Sequence, residues 1–287
     1  MNYALEIKNL SKHYKKGFSL ENVRFCLPSG CILGLIGENG AGKSTTIRLI
    51  MNAIQRDEGE ISVLGTDSHS PEFTRVKQEV GVVLDEANFP EVLNVRQVNK
   101  VMQNIFTQWD EGMYFDYIQK FSLPEKKMFK KFSRGMKMKL SIAVALSHHP
   151  RLLLLDEATG GLDPIVRDEI LDIFNEFTRQ DDHSILMSSH IVSDLEKSCD
   201  YIAFLHKGKL LFCEEKDKLL ETYGILHCTR DELEKLPRGV VQGGIRSSDY
   251  GGVEALVLRK QVPVGIKVDY AGIEEIMVHF VKGEHAE

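Results

Sequence analysis

No stretch of this 287-residue chain approaches the ~18 consecutive apolar residues of a membrane span. Any membrane role must therefore come through a partner chain. The N-terminus, Met1-Asn2-Tyr3-Ala4-Leu5-Glu6, likewise has no apolar signal core. A cation surplus is missing too: the formal charge is −6 and the pI ≈ 6.0. Nucleic acid is not an expected partner of such a chain. Five cysteines, at 26, 31, 199, 213 and 228, include no C-x-x-C pair. Scattered and odd in number, they suggest neither a zinc site nor a disulfide framework and suit reduced thiols in a cytosol. What is present is a 43% hydrophobic composition, enough for a sizeable core, in a length that holds one large domain plus a small one.

The stretch Gly37-Glu38-Asn39-Gly40-Ala41-Gly42-Lys43-Ser44-Thr45 fits G-x-x-x-x-G-K-[ST]. Ahead of it, Cys31 to Ile36 reads as a strand buried on both faces, and Ile47 to Met51 after it suits a helix. Glycines let the backbone turn its N–H groups toward a polyphosphate, and a helix N-terminus adds partial positive charge. Lys43 is then expected to reach the β- and γ-phosphates, and Ser44 to ligate Mg²⁺.

Alternating apolar residues at Leu5 to Leu10 and at Val23, Phe25 and Leu27 predict half-exposed antiparallel strands. Between them Tyr14 sits among lysines, either as a base-stacking platform or as an ordinary turn aromatic. Gly59 to Gly65 and Val80 to Leu84 are further short strands. The second ends in Asp85-Glu86, acids that face a metal-bound phosphate or are merely solvated.

From Val95 the positions Val98, Met102, Ile105 and Trp109 mark one helix face, and Phe115, Ile118 and Phe121 a second. The region reads as a helical insertion in an α/β core. Ser133 could cap a helix running to Leu146. His148 and His149 read as favourable cations at that helix's C-terminus or as plain surface residues.

Arg151 to Glu157 is an apolar strand ending in two acids, where open α/β sheets bind ligands. Asp156 is expected to hold Mg²⁺ and Glu157 to polarise the attacking water. A third strand, Ser184 to Met187, leads to His190 and places its imidazole within reach of a γ-phosphate. Tyr201 to Leu205 and Lys209 to Cys213 flank a Lys207-Gly208 hairpin, and a charged helix runs from Glu214 to Tyr223. Beyond Gly224 the texture changes to a small α+β domain. The expected division is 1–223, with a helical subdomain at about 88–147, and 224–287, with a regulatory or dimer-contacting role.

Together these pieces resemble the nucleotide-binding subunit of a bacterial ABC transporter, from about Leu5 to Tyr223. Gly37 to Thr45 matches Walker A and Leu152 to Glu157 Walker B. Phe132 to Met136 stands in the place of the Leu-Ser-Gly-Gly-Gln signature, Gly160 to Asp163 in that of the D-loop, and His190 in that of the switch histidine. The resemblance implies a P-loop core of mixed sheet, with an N-terminal antiparallel part and a helical insertion. It implies Mg-ATP hydrolysis, with Glu157 and His190 catalytic and Tyr14, Gly37, Asn39, Gly40, Gly42, Lys43, Ser44 and Thr45 holding nucleotide. Ser44, Asp156 and Asp85 would serve the metal, while Ser133, Gly135 and Asp163 would act across a dimer.

Two motifs depart from the family pattern: Arg134 and Met136 replace glycine and glutamine in the signature, and Asp85 stands where glutamine is usual. These departures, with the Ile273 to Met277 ending, are similar to exporters whose membrane subunits are separate chains. The implied partners are ATP, a transmembrane permease and a second subunit, by default a copy of this chain. The implied place is the cytoplasmic face of the membrane, and the implied cargo a peptide or drug-like solute.

Two rival readings share the motifs: a soluble ABC-type ATPase with a ribosomal or DNA-related role, and a sensing ATPase whose C-terminal domain supplies the output. A single cassette without a long inserted coiled coil favours transport. A small GTPase is disfavoured because Asn99-Lys100-Val101-Met102 lacks the acid of its base-reading motif.

Overall fold

The structure, a computed structural model, describes residues 2–15, 17–85, 89–247, 252–282 and 284–285. Glu86, the second acid after the strand at Val80, lies outside them. Alternating side chains make Tyr3–His13 (β1) and Ser19–Pro28 (β2) an antiparallel pair, with Leu5 opposite Leu27 and Ile7 opposite Phe25. Ile32–Ile36 (β3) is apolar except for Gly34 and wholly buried; it leads into the helix Lys43–Ile50 (α1). Glu58–Val63 (β4) and Thr66–Asp67 (β5) complete the first sheet, in the order β2-β1-β4-β5. A short helix, Phe73–Val76 (α2), precedes Val80–Val83 (β6).

Three helices follow: Val95–Ile105 (α3), Glu111–Lys120 (α4) and Arg134–Leu146 (α5). Each starts at a residue whose side chain accepts an orphan backbone N–H, namely Asn94, Asp110 and Ser133. The face expected through Trp109 stops earlier. Phe106 leaves the helix with φ −103 and ψ 124, and the Trp109 indole turns back to donate to Asn99 Oδ1 at 2.8 Å. Ile105 is 51% exposed, so the packed side of α3 is Val95, Val98 and the buried Asn99.

Leu152–Asp156 (β7), Pro164–Phe177 (α6), Ser184–Ser189 (β8), Val192–Ser198 (α7), Tyr201–His206 (β9) and Lys209–Glu215 (β10) complete the second sheet. Its order is β10-β9-β3-β8-β7-β6. The pairs from β9 to β6 run parallel, so the carboxyl ends of β3, β6, β7 and β8 lie along one edge. That edge carries Gly37, Asp85, Glu157 and His190 on the residues just after the strands.

His148 corrects the sequence expectation of a helix-end cation or a surface residue. It is 1% exposed, stacks on Phe106 at 3.9 Å between ring centres, and sets its two nitrogens 3.3 Å from the carbonyls of Val144 and Val80. Burial pushes its pKa down, partly opposed by those two carbonyls, and keeps the ring neutral. His149 does reach the surface, 3.3 Å from Asp110.

The chain forms two compact units, 1–210 and 211–287. In the second, Lys216–Thr222 (α8) runs straight into Tyr223–Cys228 (β11), so this helix goes with the unit that follows it. Arg230–Leu233 (α9), Val241–Ser247 (β12), Val253–Leu258 (β13), Asp269–Tyr270 (β14), Ile273–Val281 (α10) and Glu284–His285 (β15) complete it. The strands make a sheet of order β14-β11-β13-β12-β15 around Leu226, Val240, Ala255 and Val257.

Candidate active site

The loop after β3 is shaped by glycines that have no substitute. A Cβ on Gly37 would lie 2.2 Å from the Leu205 carbonyl oxygen, closer than any side chain permits. Gly40 and Gly42 sit at φ 84 and 115, in the left-handed region. Gly42 is the N-cap of α1 and offers no side chain to its first turn, so the orphan N–H groups there suit an anion.

A cavity of ≈ 310 Å³ opens over this loop, lined by Phe18, the loop residues 38–40 and 42–45, Asp85 and Glu157. Two larger cavities, of ≈ 730 and ≈ 750 Å³, lie between α3 and α4 and beside α4 and α6. Neither gathers a phosphate loop and strand-end acids, so chemistry and not size selects the small one.

Charge converges at Glu157. Its Oε2 accepts from His190 Nδ1 at 2.6 Å, and its Oε1 lies 3.1 Å from Lys43 Nζ, an ion pair without hydrogen-bond alignment. Lys43, 6% exposed, also donates to the carbonyls of Gly37 at 2.7 Å and Glu38 at 3.4 Å. Glu157 adopts φ 52, rare for a non-glycine residue and typical of strain held at a working site. Behind it Asp156 is 4% exposed and accepts from Ser188 Oγ at 2.7 Å; the same hydroxyl accepts from the Glu157 N–H at 3.1 Å.

The family profile described as ABC transporter matches residues 20–160. The lantibiotic transport ATP-binding protein SrtF of Streptococcus pyogenes is 34% identical over 215 residues, covering 74% of this chain and 91% of the relative. The chain belongs to the ABC transporter family.

A solved ATP-binding subunit of an ABC transporter superposes with TM-score 0.68 at 30% identity, over 75% of this chain and 91% of that one. A dimeric ATP-binding cassette, described as a post-hydrolysis state with ADP and Pi, superposes with TM-score 0.66 at 21% identity. It covers 74% of this chain and 98% of its own, and shares the fold. The chain is thus the ATP-binding, ATP-hydrolysing subunit of a transporter.

Within this ABC subunit, residues 38–40 and 42–45 of the loop, Asp85 and Glu157 line the cavity, His190 joins them through its contact with Glu157, and Asp156 through Ser188. The cavity lining does not include Gly37, Asp156 or His190, nor Tyr14, Ser133, Gly135 or Asp163. Tyr14 is 41% exposed, 6.2 Å from Phe18, and it is Phe18 that reaches the cavity. Ser133 accepts from the Met136 N–H at 3.3 Å and Asp163 from the Val166 N–H at 3.1 Å, each as the N-cap of its helix. Both caps leave room for further duty, since an N-cap oxygen has a second lone pair.

Sequence reasoning missed three contributors. Ser188 is placed opposite Asp156 by the parallel register of β7 and β8, which only pairing reveals. Phe18 is two residues past a lysine pair and carries no motif. His206, at the end of β9, lies 3.2 Å from Glu38 of the loop. Arg134 and Asp85 also touch, at 2.6 Å.

Proposed function

We propose that this ABC ATPase closes as a dimer on two Mg-ATP and thereby drives a separate membrane subunit that exports a peptide or drug-like solute. The observation carrying the catalytic part is Glu157, held between Lys43 and His190 over the phosphate loop. ATP entering the cavity gives Lys43 a stronger anionic partner than the loop carbonyls and leaves Glu157 free to take a proton from water. His190, released from Glu157, reaches the γ-phosphate. Ser44 and the buried Asp156 are oxygen donors of the kind Mg²⁺ prefers, one hydroxyl and one carboxylate with phosphates completing the set. When bound, the metal neutralises charge on the phosphates.

Gly135 supports the shared site. It occupies the first turn of α5, where glycine costs helix stability relative to alanine. Yet a Cβ there would meet only Leu162 Cδ2, at 3.7 Å, so the subunit's own packing does not require its absence. A nucleotide held by a second subunit is the group that needs that space. Closure must offset about 4–15 kcal/mol of lost freedom, while each hydrogen bond to a charged phosphate returns about 1.5–3 kcal/mol. Contacts at both sites therefore have to act together, and loss of the γ-phosphate reopens the pair.

Export of a peptide follows the lantibiotic named for SrtF. No described helix is long and apolar enough to cross a membrane, so the path for the solute falls to a partner. Glu157→Gln is expected to abolish turnover while an ATP-bound dimer accumulates on size exclusion. Turnover at the wild-type rate refutes the role of Glu157. Recovery of the chain with an integral membrane protein supports the transport reading over a free-standing ATPase.

A further inference from the structure

Two of the three residues that depart from the family pattern, Asp85 and Arg134, stand 49 positions apart and touch each other. Arg134 Nη2 donates to Asp85 Oδ1 at 2.6 Å. The same guanidinium covers the loop that leaves Glu157: a Cβ on Gly161 would lie 2.7 Å from Nη1 and 3.0 Å from Cζ, and one on Gly160 3.8 Å from Nη2. One cation thus joins the end of β6, the start of α5 and the segment after β7.

Asp85 lines the phosphate cavity with Lys43 and Glu157. A carboxylate there repels a polyphosphate, where a neutral amide would not, and a cation in contact with it cancels most of that field. The planar guanidinium suits the place because it donates along its edge to Asp85 while its body lies against Gly161, which an ammonium cannot do.

We propose that Arg134 is a positioning residue that holds and neutralises Asp85 beside the triphosphate, so that these two substitutions are a single compensated exchange. This rests on the reading of the cavity as the ATP site. Both side chains are about half exposed, 56% and 48%, and exposed pairs add little to folding stability. The effect therefore falls on nucleotide affinity and not on the fold.

A double-mutant cycle on the full chain tests it, using wild type, Arg134→Gly, Asp85→Gln and the double variant. The readouts are equilibrium ATP binding at concentrations where the chain is monomeric, steady-state kcat and KM, and the melting temperature. Arg134→Gly exposes the Asp85 charge and weakens ATP binding about tenfold, an effect that shrinks in high salt. Replacing Asp85 by Gln in that background restores affinity to within about twofold of wild type. Arg134→Lys, which keeps the charge without the fork, falls between. Asp85→Gln and Arg134→Lys melt with the wild type, and Arg134→Gly and the double variant share one small fall, the cost of a glycine in the first turn of α5. A double variant as weak as Arg134→Gly overturns the pairing alone. A wild-type chain that neither binds nor hydrolyses ATP overturns the ATPase reading and the pairing with it.

Discussion

His148 shows how one side chain can carry an environment that its neighbours in sequence do not announce. It follows a helix and precedes His149 and Pro150, yet packs on Phe106 with both nitrogens facing carbonyls. Burial depresses its pKa in the folded state. Above about pH 6.5 the ring is neutral whether the chain is folded or not, and it adds no pH dependence. Below that, the unfolded chain takes the proton first, so stability falls as the pH drops from about 6.5 toward the folded-state value. Denaturant unfolding should show this acid limb, with a slope of at most about 1.4 kcal/mol per pH unit. His148→Gln should flatten it; an unchanged slope would place the proton elsewhere. Glu157 differs in kind: the apolar run before it and the acid pair mark it in the sequence, but its left-handed backbone and its contacts with Lys43 and His190 are not written there.

At the scale of elements, α3 and α5 teach opposite lessons. Three-to-four spacing led from Val98 through Ile105 to Trp109, but a turn can return an indole to the same face that a continuing helix would have given it. Asn99 explains the outcome: its amide donates to Glu111 Oε1 at 2.7 Å while its oxygen receives Trp109, tying α3 to α4. For α5 the start was legible from Ser133, whose hydroxyl caps it. Gly135→Ala tests what that first turn faces. The substitution should leave ATP binding by the monomer unchanged and raise folding stability by no more than about 1 kcal/mol. Turnover should nevertheless fall at least about tenfold, the loss expected when one crowded phosphate contact of about 1.4 kcal/mol is spoiled. Unimpaired turnover would remove Gly135 from the shared site.

For the whole molecule, the question is whether one chain can work alone. If each ATP is held between two copies, mixing Glu157→Gln subunits into wild type poisons more than its share of sites. The ATPase rate should then fall faster than the wild-type fraction, whereas a strictly linear fall would mean that subunits act singly. The division at 210/211 bears on the same question, because the second unit has its own sheet and buried apolar cluster, and a buried His279 that pairs with the Gly244 carbonyl. Its strands were legible from short apolar runs between glycines, but its first helix was not assigned to it. A helix's face shows that it packs, not which neighbour it packs on.

Local spacing by itself determined the phosphate loop, the two strand-end acids and the order of motifs, because a phosphate must be met by backbone turns and donors at fixed, short separations. Only the tertiary structure decided which charges answer one another. His190 meets Glu157 across 33 residues and Arg134 meets Asp85 across 49. The parallel register sets the first pair, and the placing of α5 against the β6 end sets the second. The contact that makes Asp85 compatible with a polyphosphate therefore lies between two residues that in sequence each looked like a separate exception.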